Sequence, residues 1–280
     1  MDLLTEPAAM RAWSLARRAS GARLAVVPTM GALHDGHQRL VDRAAELADQ
    51  VIVTIFVNPL QFNQTADFDT YPRAIDDDLQ RCRAAGVAAV YAPTAATMYP
   101  RGFDTHVEPG ALADRLEGPM RPGHFRGVAT VVTKLFAATL ADVACFGEKD
   151  YQQLAIVRRL AVDLDLGVEI VGVPTAREPD GLAMSSRNRR LSPEARAAAA
   201  VLPDALAGAA RAHARGNHDA ALLADVAAAM LRAEPRAEIE YVEVVDRHTL
   251  EPLADTSGGA IVLAAVWFDG VRLIDNRVLR

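Results

Sequence analysis

Short apolar segments that alternate with helical patterns constrain the fold of this sequence most strongly. The strand-like segments are Leu24–Val27, Val51–Val57, Val87–Tyr91, Val143–Phe146 and Val168–Val173. Residues 40–48, 73–85, 128–140 and 152–164 lie between or beside them and have helical periodicity. This alternation is typical of βαβ units, in which helices cover both faces of a parallel sheet. We therefore predict an α/β fold, with ligands beyond the carboxyl ends of the strands.

The pattern changes after Pro174. Ser192, Pro193 and Glu194 predict a helix start, because a serine cap, a first-position proline and an early acid all suit a helix N-terminus. Alanine-rich helical patterns precede three strand-like segments, at 239–245, 260–267 and 271–274. The last two are joined by 268–270, a predicted hairpin turn. We predict two domains, 1–175 and 176–280, the second of α+β type.

Composition excludes some classes of protein. The 280 residues carry a formal charge of −6, with a pI near 5.7, which disfavours a protein dedicated to nucleic acid or to anionic membranes. Cys82 and Cys145 stand apart from other metal ligands, which indicates reduced thiols. The first thirty residues lack a signal-peptide pattern, and no apolar stretch approaches the roughly 20 residues of a membrane span. We therefore predict a cytoplasmic protein.

One segment between a strand and a helix predicts a phosphate site. It consists of Pro28, Thr29, Met30, Gly31, Ala32, Leu33, His34, Asp35, Gly36 and His37. A helix N-terminus favours anions because its N–H groups are unpaired and its dipole is positive there. His34 and His37 are three residues apart, so we expect the two imidazoles to lie together and to donate hydrogen bonds to phosphate oxygens.

Other interpretations of this segment are possible. The H-x-x-H spacing occurs in half of some zinc sites, but no third ligand follows at a suitable spacing. The segment matches neither the P-loop nor the dinucleotide-binding pattern. A strand followed by H-x-G-H is the phosphate-binding device of the nucleotidylyl-transferase superfamily, which includes the class I aminoacyl-tRNA synthetases.

Four further motifs specify the family. They are Phe56–Phe62 (FVNPLQF), Arg121–Val128 (RPGHFRGV), Gly147–Gln153 (GEKDYQQ) and Asp180–Asn188 (DGLAMSSRN). Together with the segment at 28–37 they resemble, in order and over essentially the whole chain, the pantothenate synthetase family. The resemblance implies a Rossmann-like domain with a smaller C-terminal lid domain, usually as a homodimer. It also implies condensation of pantoate with β-alanine through a pantoyl adenylate, with ATP converted to AMP and pyrophosphate.

Residues at 147–150 suit the triphosphate. Gly147, Glu148, Lys149 and Asp150 follow a predicted strand, so we expect the Lys149 ammonium to neutralise phosphate charge in the same crevice. Asp150 is a candidate ligand for the Mg²⁺ that accompanies ATP, although an ordinary helix cap explains it equally well.

The loop at 184–187 resembles the mobile lysine–serine loop of class I synthetases without its lysines. Met184, Ser185, Ser186 and Arg187 offer hydroxyl, amide and guanidinium donors to the triphosphate. Closure of this loop over ATP would exclude water from the adenylate. The family also places a backbone contact to adenine at Ala176.

The resemblance assigns the acid substrate to neutral side chains. Gln61 and Gln153 would bind the hydroxyls and carboxylate of pantoate, with Asn58 and Met30 in the same pocket. An amide suits this role because it can both donate and accept hydrogen bonds. The role of residues 121–125 stays open between a gate and a pantoate contact.

Adenylation of a carboxylate needs no general base, because the nucleophile is already ionised at neutral pH. It needs alignment and charge neutralisation, which predicts catalytic roles for His37, His34 and Lys149. Whether His37 donates a proton or only stabilises phosphate charge stays open. The rival hypotheses are a nucleotidylyltransferase that stops at adenylation, a nucleic-acid-binding protein and a non-catalytic nucleotide sensor.

Overall fold

The chain divides into two structural units, and among the described residues each unit contains one sheet. The computed structural model describes residues 1–62, 68, 71 and 73–280. The first unit comprises Met1–Glu148 and Gln152–Pro174, and the second comprises Lys149–Tyr151 and Thr175–Arg280. Within the described ranges, no helix has both the length and the apolar character needed to cross a membrane.

The first unit alternates strands and helices. Its elements are β1 (Asp2–Leu4), α1 (Pro7–Ala19), β2 (Leu24–Thr29), α2 (Asp35–Leu47), β3 (Gln50–Ile55), α3 (Ile75–Ala84), β4 (Ala89–Tyr91), α4 (Ala95–Met98), α5 (Glu117–Met120), α6 (His124–Thr139), β5 (Val143–Gly147), α7 (Tyr151–Asp163) and β6 (Glu169–Val173). Short 3-10 helices span Pro59–Gln61, after β3, and Glu148–Asp150, before α7. Tyr151, the first residue of α7, groups with the second unit.

The strands of this unit form a six-stranded sheet in the order β1-β4-β3-β2-β5-β6, with every neighbouring pair parallel. Alternate residues of β2 enter two different cores. Leu24 and Val26 pack with α6, whereas Ala25 and Val27 pack with α2 and α3. Burial on both faces explains why these strands are continuous apolar runs, and it confirms the predicted α/β class.

The chain reverses its direction of travel across the sheet between β2 and β5. From β2 it moves outward through β3 and β4, whereas β5 and β6 lie on the other side. Ligands of open parallel sheets bind at such a switch point, beyond the carboxyl ends of the strands. Thr29 and Gly147 end these two strands, so residues that follow them are placed at the switch point.

The second unit is a helical layer with an antiparallel sheet. Its elements are α8 (Pro193–Ala198), α9 (Val201–Ala214), α10 (Ala220–Arg232), β7 (Ala237–Asp246), β8 (Ala260–Phe268) and β9 (Val271–Leu279). A core of leucine, alanine and valine joins the helices to the sheet. Asp269 and Gly270 have φ of 46° and 79°, so the predicted hairpin turn is confirmed as one with two left-handed residues.

Some local features differ from the sequence-based expectations. No element was expected before Leu24, but β1 and α1 lie there; β1 has only three residues and depends on its pairing with β4. The alanine-rich helix that begins after Ser192 is interrupted between Ala198 and Val201. Pro203 lies in the first turn of α9 and explains this interruption, because inside a continuous helix a proline would lack the N–H that bonds to the carbonyl four residues earlier and would clash with it. The Ser192 hydroxyl caps α8 as expected, accepting from the Ala195 N–H at 3.1 Å.

Candidate active site

A buried carboxylate holds the loop that follows β2. The Asp78 oxygens accept hydrogen bonds from the N–H groups of Ala32 at 2.9 Å and Leu33 at 2.7 Å. Gly31 and Ala32 have φ of 82° and 52°, in the left-handed region that is unfavourable for most residues. Asp78 is 2% exposed, and each of its oxygens accepts a hydrogen bond from this backbone. Asp78 therefore stabilises an otherwise unfavourable loop.

Gly31 is required by close approach as well as by backbone conformation. A Cβ at this position would lie 2.9 Å from Asp78 Oδ2 and 3.2 Å from Ile55 Cγ2. The segment at 28–37 therefore depends on a helix that begins far along the chain, at Ile75. Sequence reasoning missed Asp78 because an acid in the first turn of a helix already has a local explanation.

The two histidines lie together, as predicted, but in a different arrangement. His34 is the N-cap of α2 rather than a helical residue, and the ring centroids of His34 and His37 are 4.1 Å apart. The His34 Nδ1 accepts from the Gly36 N–H at 3.1 Å, and the His37 Nδ1 accepts from the His34 N–H at 3.2 Å. The pair therefore forms a capping box built from imidazoles.

These caps determine the tautomer of both rings. A backbone N–H can only donate, so each Nδ1 must be the unprotonated nitrogen. The neutral rings then carry their proton on Nε2, which is the donor that a phosphate oxygen requires. Asp35, the next residue, is exposed, and its carboxylate lies 3.4 Å from Arg81.

A second group of polar residues follows β3. Asn58 is 1% exposed, and its Nδ2 donates to Gln61 Oε1 at 3.0 Å. The Gln61 Nε2 lies 3.1 Å from Met30 Sδ, which links this group to the loop after β2. The structure therefore brings Asn58, Gln61 and Met30 into one cluster, as the predicted pantoate pocket requires.

The start of α6 packs directly against this cluster. The His124 Nδ1 lies 2.8 Å from the Gln61 carbonyl oxygen and donates to it, because a carbonyl can only accept. A Cβ on Gly127 would lie 2.3 Å from the Leu60 carbonyl oxygen, so only glycine permits this approach. Residues of the 121–128 motif thus support the backbone around Gln61.

Two adjacent glutamines on α7 have different environments. Gln152 is 3% exposed; it accepts from the Glu117 N–H at 3.0 Å and donates to the carbonyl oxygens of Leu112 and Arg115. Gln153 is partly exposed. The buried amide therefore anchors the segment before α5, and Gln153 keeps the surface access that a substrate contact needs.

The 147–150 motif lies where the sequence placed it, between a strand and a helix. Gly147 ends β5, and Glu148–Asp150 form one 3-10 turn. In the second unit, the Lys149 carbonyl oxygen accepts from Asn276 Nδ2 at 2.9 Å. Asp150 is exposed. This hydrogen bond holds the backbone of the turn at the Lys149 carbonyl group.

The remaining predicted ATP residues form a folded loop in the second unit. The Ala176 carbonyl oxygen accepts from the Met184 N–H at 2.8 Å, which closes the segment between them. The Ser185 hydroxyl accepts from the Arg187 N–H at 3.2 Å and caps a 3-10 helix at Ser186–Arg190. The Ser185 hydroxyl and the Arg187 N–H are therefore arranged by a local cap.

An ion pair between a partly exposed arginine and a buried carboxylate supports the same loop. Arg177 makes a two-pronged contact with Asp275, at 2.7 and 3.0 Å, and also donates to the Gly181 carbonyl oxygen at 2.9 Å. The Asp275 side chain is fully buried. This planar, charge-assisted arrangement ties residues 177–181 to β9.

Within the described part of the chain, no group of three or more histidine, cysteine, aspartate or glutamate side chains is arranged to hold a metal. Asp150 alone cannot supply a complete set of metal ligands, but a single carboxylate suits Mg²⁺ that is bound mainly by phosphate and water.

Cys82 and Cys145 are free and buried, and burial raises the pKa of each thiol to about 11. They are neither acidic nor exposed enough to act as nucleophiles.

Comparison with known proteins identifies the family. The pantoate-beta-alanine ligase family matches residues 2–278 of the chain. The chain is 52% identical over 261 residues to a pantothenate synthetase of Rhizorhabdus wittichii, with 92% of each protein covered.

Solved structures agree with this match. The crystal structure of pantothenate synthetase from Thermus thermophilus superposes with a TM-score of 0.93 at 44% identity, covering 100% of this chain and 99% of that one. A pantoate-beta-alanine ligase from Francisella tularensis, complexed with beta-gamma ATP and β-alanine, gives 0.80 at 31% identity, covering 99% and 97%. The chain belongs to the pantoate–β-alanine ligase family.

Proposed function

We propose that this ligase condenses pantoate with β-alanine to give pantothenate, and that the site residues described above carry the reaction. ATP is consumed, and AMP and pyrophosphate are released. The observation that best supports the site assignment is the pair of capping histidines at the switch point. Their tautomer makes Nε2 a donor at the N-terminus of α2, where a phosphate binds favourably.

The first step forms an acyl adenylate. The pantoate carboxylate attacks the α-phosphorus of ATP, a P–O bond forms, and the bond to pyrophosphate breaks. Negative charge builds on the phosphate oxygens, so preorganised donors lower the barrier without any enzyme nucleophile. We assign this role to His34, His37 and Lys149.

The second step transfers the acyl group. The neutral amine of β-alanine attacks the acyl carbon, a C–N bond forms, AMP leaves and the amine loses a proton. Because the adenylate is prone to hydrolysis, the reaction benefits from exclusion of water. We propose that residues 176–280 act as a lid domain for the ATP- and pantoate-binding domain at 1–175.

ATP contacts are assigned to three segments. They are residues 28–37, residues 147–150, and Met184–Arg187 together with Ala176. The triphosphate would accept from backbone N–H groups, from serine hydroxyls and from Arg187. Mg²⁺, when bound with ATP, supplies further charge neutralisation, and Asp150 is the side chain that we propose to contact it.

Pantoate is assigned to Gln61 and Gln153, with Asn58 and Met30 in the same pocket. The link from Asn58 through Gln61 to Met30 supports this assignment. A neutral amide binds an anionic acid without the repulsion that a carboxylate would cause. We further propose a cytoplasmic homodimer that binds neither nucleic acid nor membrane; light scattering of the purified protein tests the dimer.

An omission experiment tests the reaction. Pyrophosphate release is measured with ATP, Mg²⁺, pantoate and β-alanine, and each component is then left out in turn. We expect release to stop without pantoate and to be limited to a single turnover without β-alanine. A nucleotide sensor would bind ATP and release no pyrophosphate, and a nucleotidylyltransferase would not require β-alanine.

Two substitutions test the phosphate site. We expect His37→Ala and Lys149→Ala to fold normally and to lose about 2–4 kcal/mol of transition-state stabilisation, or roughly 30- to 1,000-fold in turnover. Lys134→Ala is a matched control, because Lys134 is the other lysine of the chain and lies 5.3 Å from the Phe103 ring. Near-normal turnover in either site variant would refute its assignment.

A third substitution tests the pantoate pocket. We expect Gln61→Ala to raise the KM for pantoate much more than the KM for ATP, because the amide is assigned to the acid and to none of the proposed ATP contacts. Initial rates at varied pantoate and at varied ATP separate the two constants. Equal increases in both would show that Gln61 belongs to a different part of the site.

A further inference from the structure

The side-chain orientation of Asn58 is fixed by backbone groups. Its Oδ1 accepts from the Leu60 N–H at 3.3 Å, and its Nδ2 donates to the Gly127 carbonyl oxygen at 3.1 Å. A backbone N–H can only donate and a carbonyl can only accept. Rotation of the amide by half a turn would therefore break both contacts, so only one orientation fits.

The orientation of Asn58 in turn fixes that of Gln61. Because Asn58 Nδ2 donates to the Gln61 side chain at 3.0 Å, the atom that receives it must be Oε1. The Gln61 Nε2 is then turned toward Met30, whose sulfur at 3.1 Å is a weak acceptor. The amide thus presents N–H groups, rather than its oxygen, on the side of the loop after β2.

Tyr99 completes the chain of hydrogen bonds. Its hydroxyl donates to Asn58 Oδ1 at 2.7 Å, which is shorter than the 3.3 Å contact from Leu60. The phenol is protonated at physiological pH and can donate, and burial raises the pKa of Tyr99 further above its usual range. Tyr99 also packs against Phe56 and Phe103, with ring centroids 6.0 and 4.9 Å away, which restricts its side chain.

We propose that Tyr99 is a positioning residue that acts through Asn58 to hold Gln61 as a hydrogen-bond donor to the oxygen atoms of pantoate. This inference rests on the proposed function of Gln61. A carboxylate only accepts, so a reversed glutamine would set two acceptors against each other. We call the hydrogen bonds from Tyr99 through Asn58 to Gln61 the relay. The relay orients the Gln61 amide before the substrate binds, and it therefore makes the pocket selective for an acid with many acceptor oxygens.

Tyr99→Phe removes the hydroxyl and keeps the aromatic packing. Since one neutral hydrogen bond is lost, we expect the KM for pantoate to rise about threefold to tenfold, with kcat and the KM for ATP within about twofold of wild type. Tyr91→Phe is the matched control, because Tyr91 is fully buried and its hydroxyl has no hydrogen-bond partner in the described ranges. We expect this control to leave all three constants unchanged.

A double-mutant cycle separates positioning from a general structural role. In a Gln61→Ala background the amide that Tyr99 would orient through Asn58 is absent. Tyr99→Phe should therefore have no further effect on kcat/KM for pantoate. If the effect of Tyr99→Phe is as large in that background as in wild type, or is equal for pantoate and ATP, the inference is overturned.

The proposed function can fail separately. If Gln61→Ala itself leaves the KM for pantoate unchanged, the assignment of Gln61 fails and the inference falls with it. If Gln61→Ala acts as expected and Tyr99→Phe behaves like Tyr91→Phe, only the relay is refuted.

Discussion

Asp78→Asn is the most informative test of how the phosphate loop is held. The substitution keeps the size of the side chain and removes its charge. Asp78 accepts from two backbone N–H groups, at 2.9 and 2.7 Å, while an asparagine oxygen can satisfy only one of them. Its NH₂ group would then face the other N–H, donor against donor.

The structure allows the magnitude to be worked out. A hydrogen bond to a charged group contributes about 1.5–3 kcal/mol, and the surviving bond becomes a weaker neutral one, so the loop loses about 2–3 kcal/mol. The left-handed conformations of Gly31 and Ala32 then lose their support. If the loop relaxes, ATP must supply the same free energy on binding, and its affinity falls by roughly 30- to 150-fold.

Isothermal titration with a non-hydrolysable ATP analogue measures this loss directly, and urea unfolding shows whether the fold is also weakened. Asp76→Asn is the control, since Asp76 is an exposed acid in the same helical turn and changes the net charge equally. An Asp78→Asn protein that binds nucleotide as tightly as wild type would show that the loop does not depend on this carboxylate.

Two further outcomes follow from packing and from burial. Gly127→Ala would place a Cβ 2.3 Å from a backbone carbonyl oxygen, so we expect a lower urea midpoint and a higher KM for pantoate, because residues 59–61 must move. For Cys82 and Cys145, burial raises the thiol pKa from 9.0 to about 11, so they contribute stability that is present below pH 9 and is lost as pH rises through 11. Urea titrations at pH 8 and 10.5 should show this loss in wild type and a smaller one in the Cys82→Ala/Cys145→Ala protein.

Much of the fold was predictable because its signals are local. Continuous apolar runs indicated buried parallel strands, and Ser192 with Pro193 marked a helix start; both depend on residues close in sequence. The order of the strands in the sheet, and thus the switch point, required the structure. The strand at Asp2–Leu4 escaped prediction because three residues show no periodicity and their pairing partner lies far along the chain.

The residues of the candidate site likewise fall into two groups, those that a local motif reveals and those that only the structure reveals. His34, His37 and Gln61 belong to short motifs, and a strand-to-helix position already suggests their chemistry. Asp78 and Tyr99 act on segments that are distant in sequence: Asp78 bonds to a loop 45 and 46 residues earlier, and Tyr99 bonds to Asn58, 41 residues earlier. No local pattern distinguishes such residues from an ordinary helix-start acid or a core tyrosine.

Hydrogen bonds to the backbone explain how neutral imidazole and amide side chains can serve in a site for anionic substrates. An imidazole or an amide can donate or accept, so its usefulness depends on which atom faces the ligand. In His34 and His37 a backbone N–H binds Nδ1 and leaves Nε2 as the donor, and in Asn58 two backbone groups of opposite polarity bind the two ends of the amide. The orientation is thereby set during folding, and no free energy of reorganisation is needed when the charge of the transition state develops. Such a site should lose activity when a backbone contact is displaced, as by Gly127→Ala, even though every proposed substrate-binding side chain is retained.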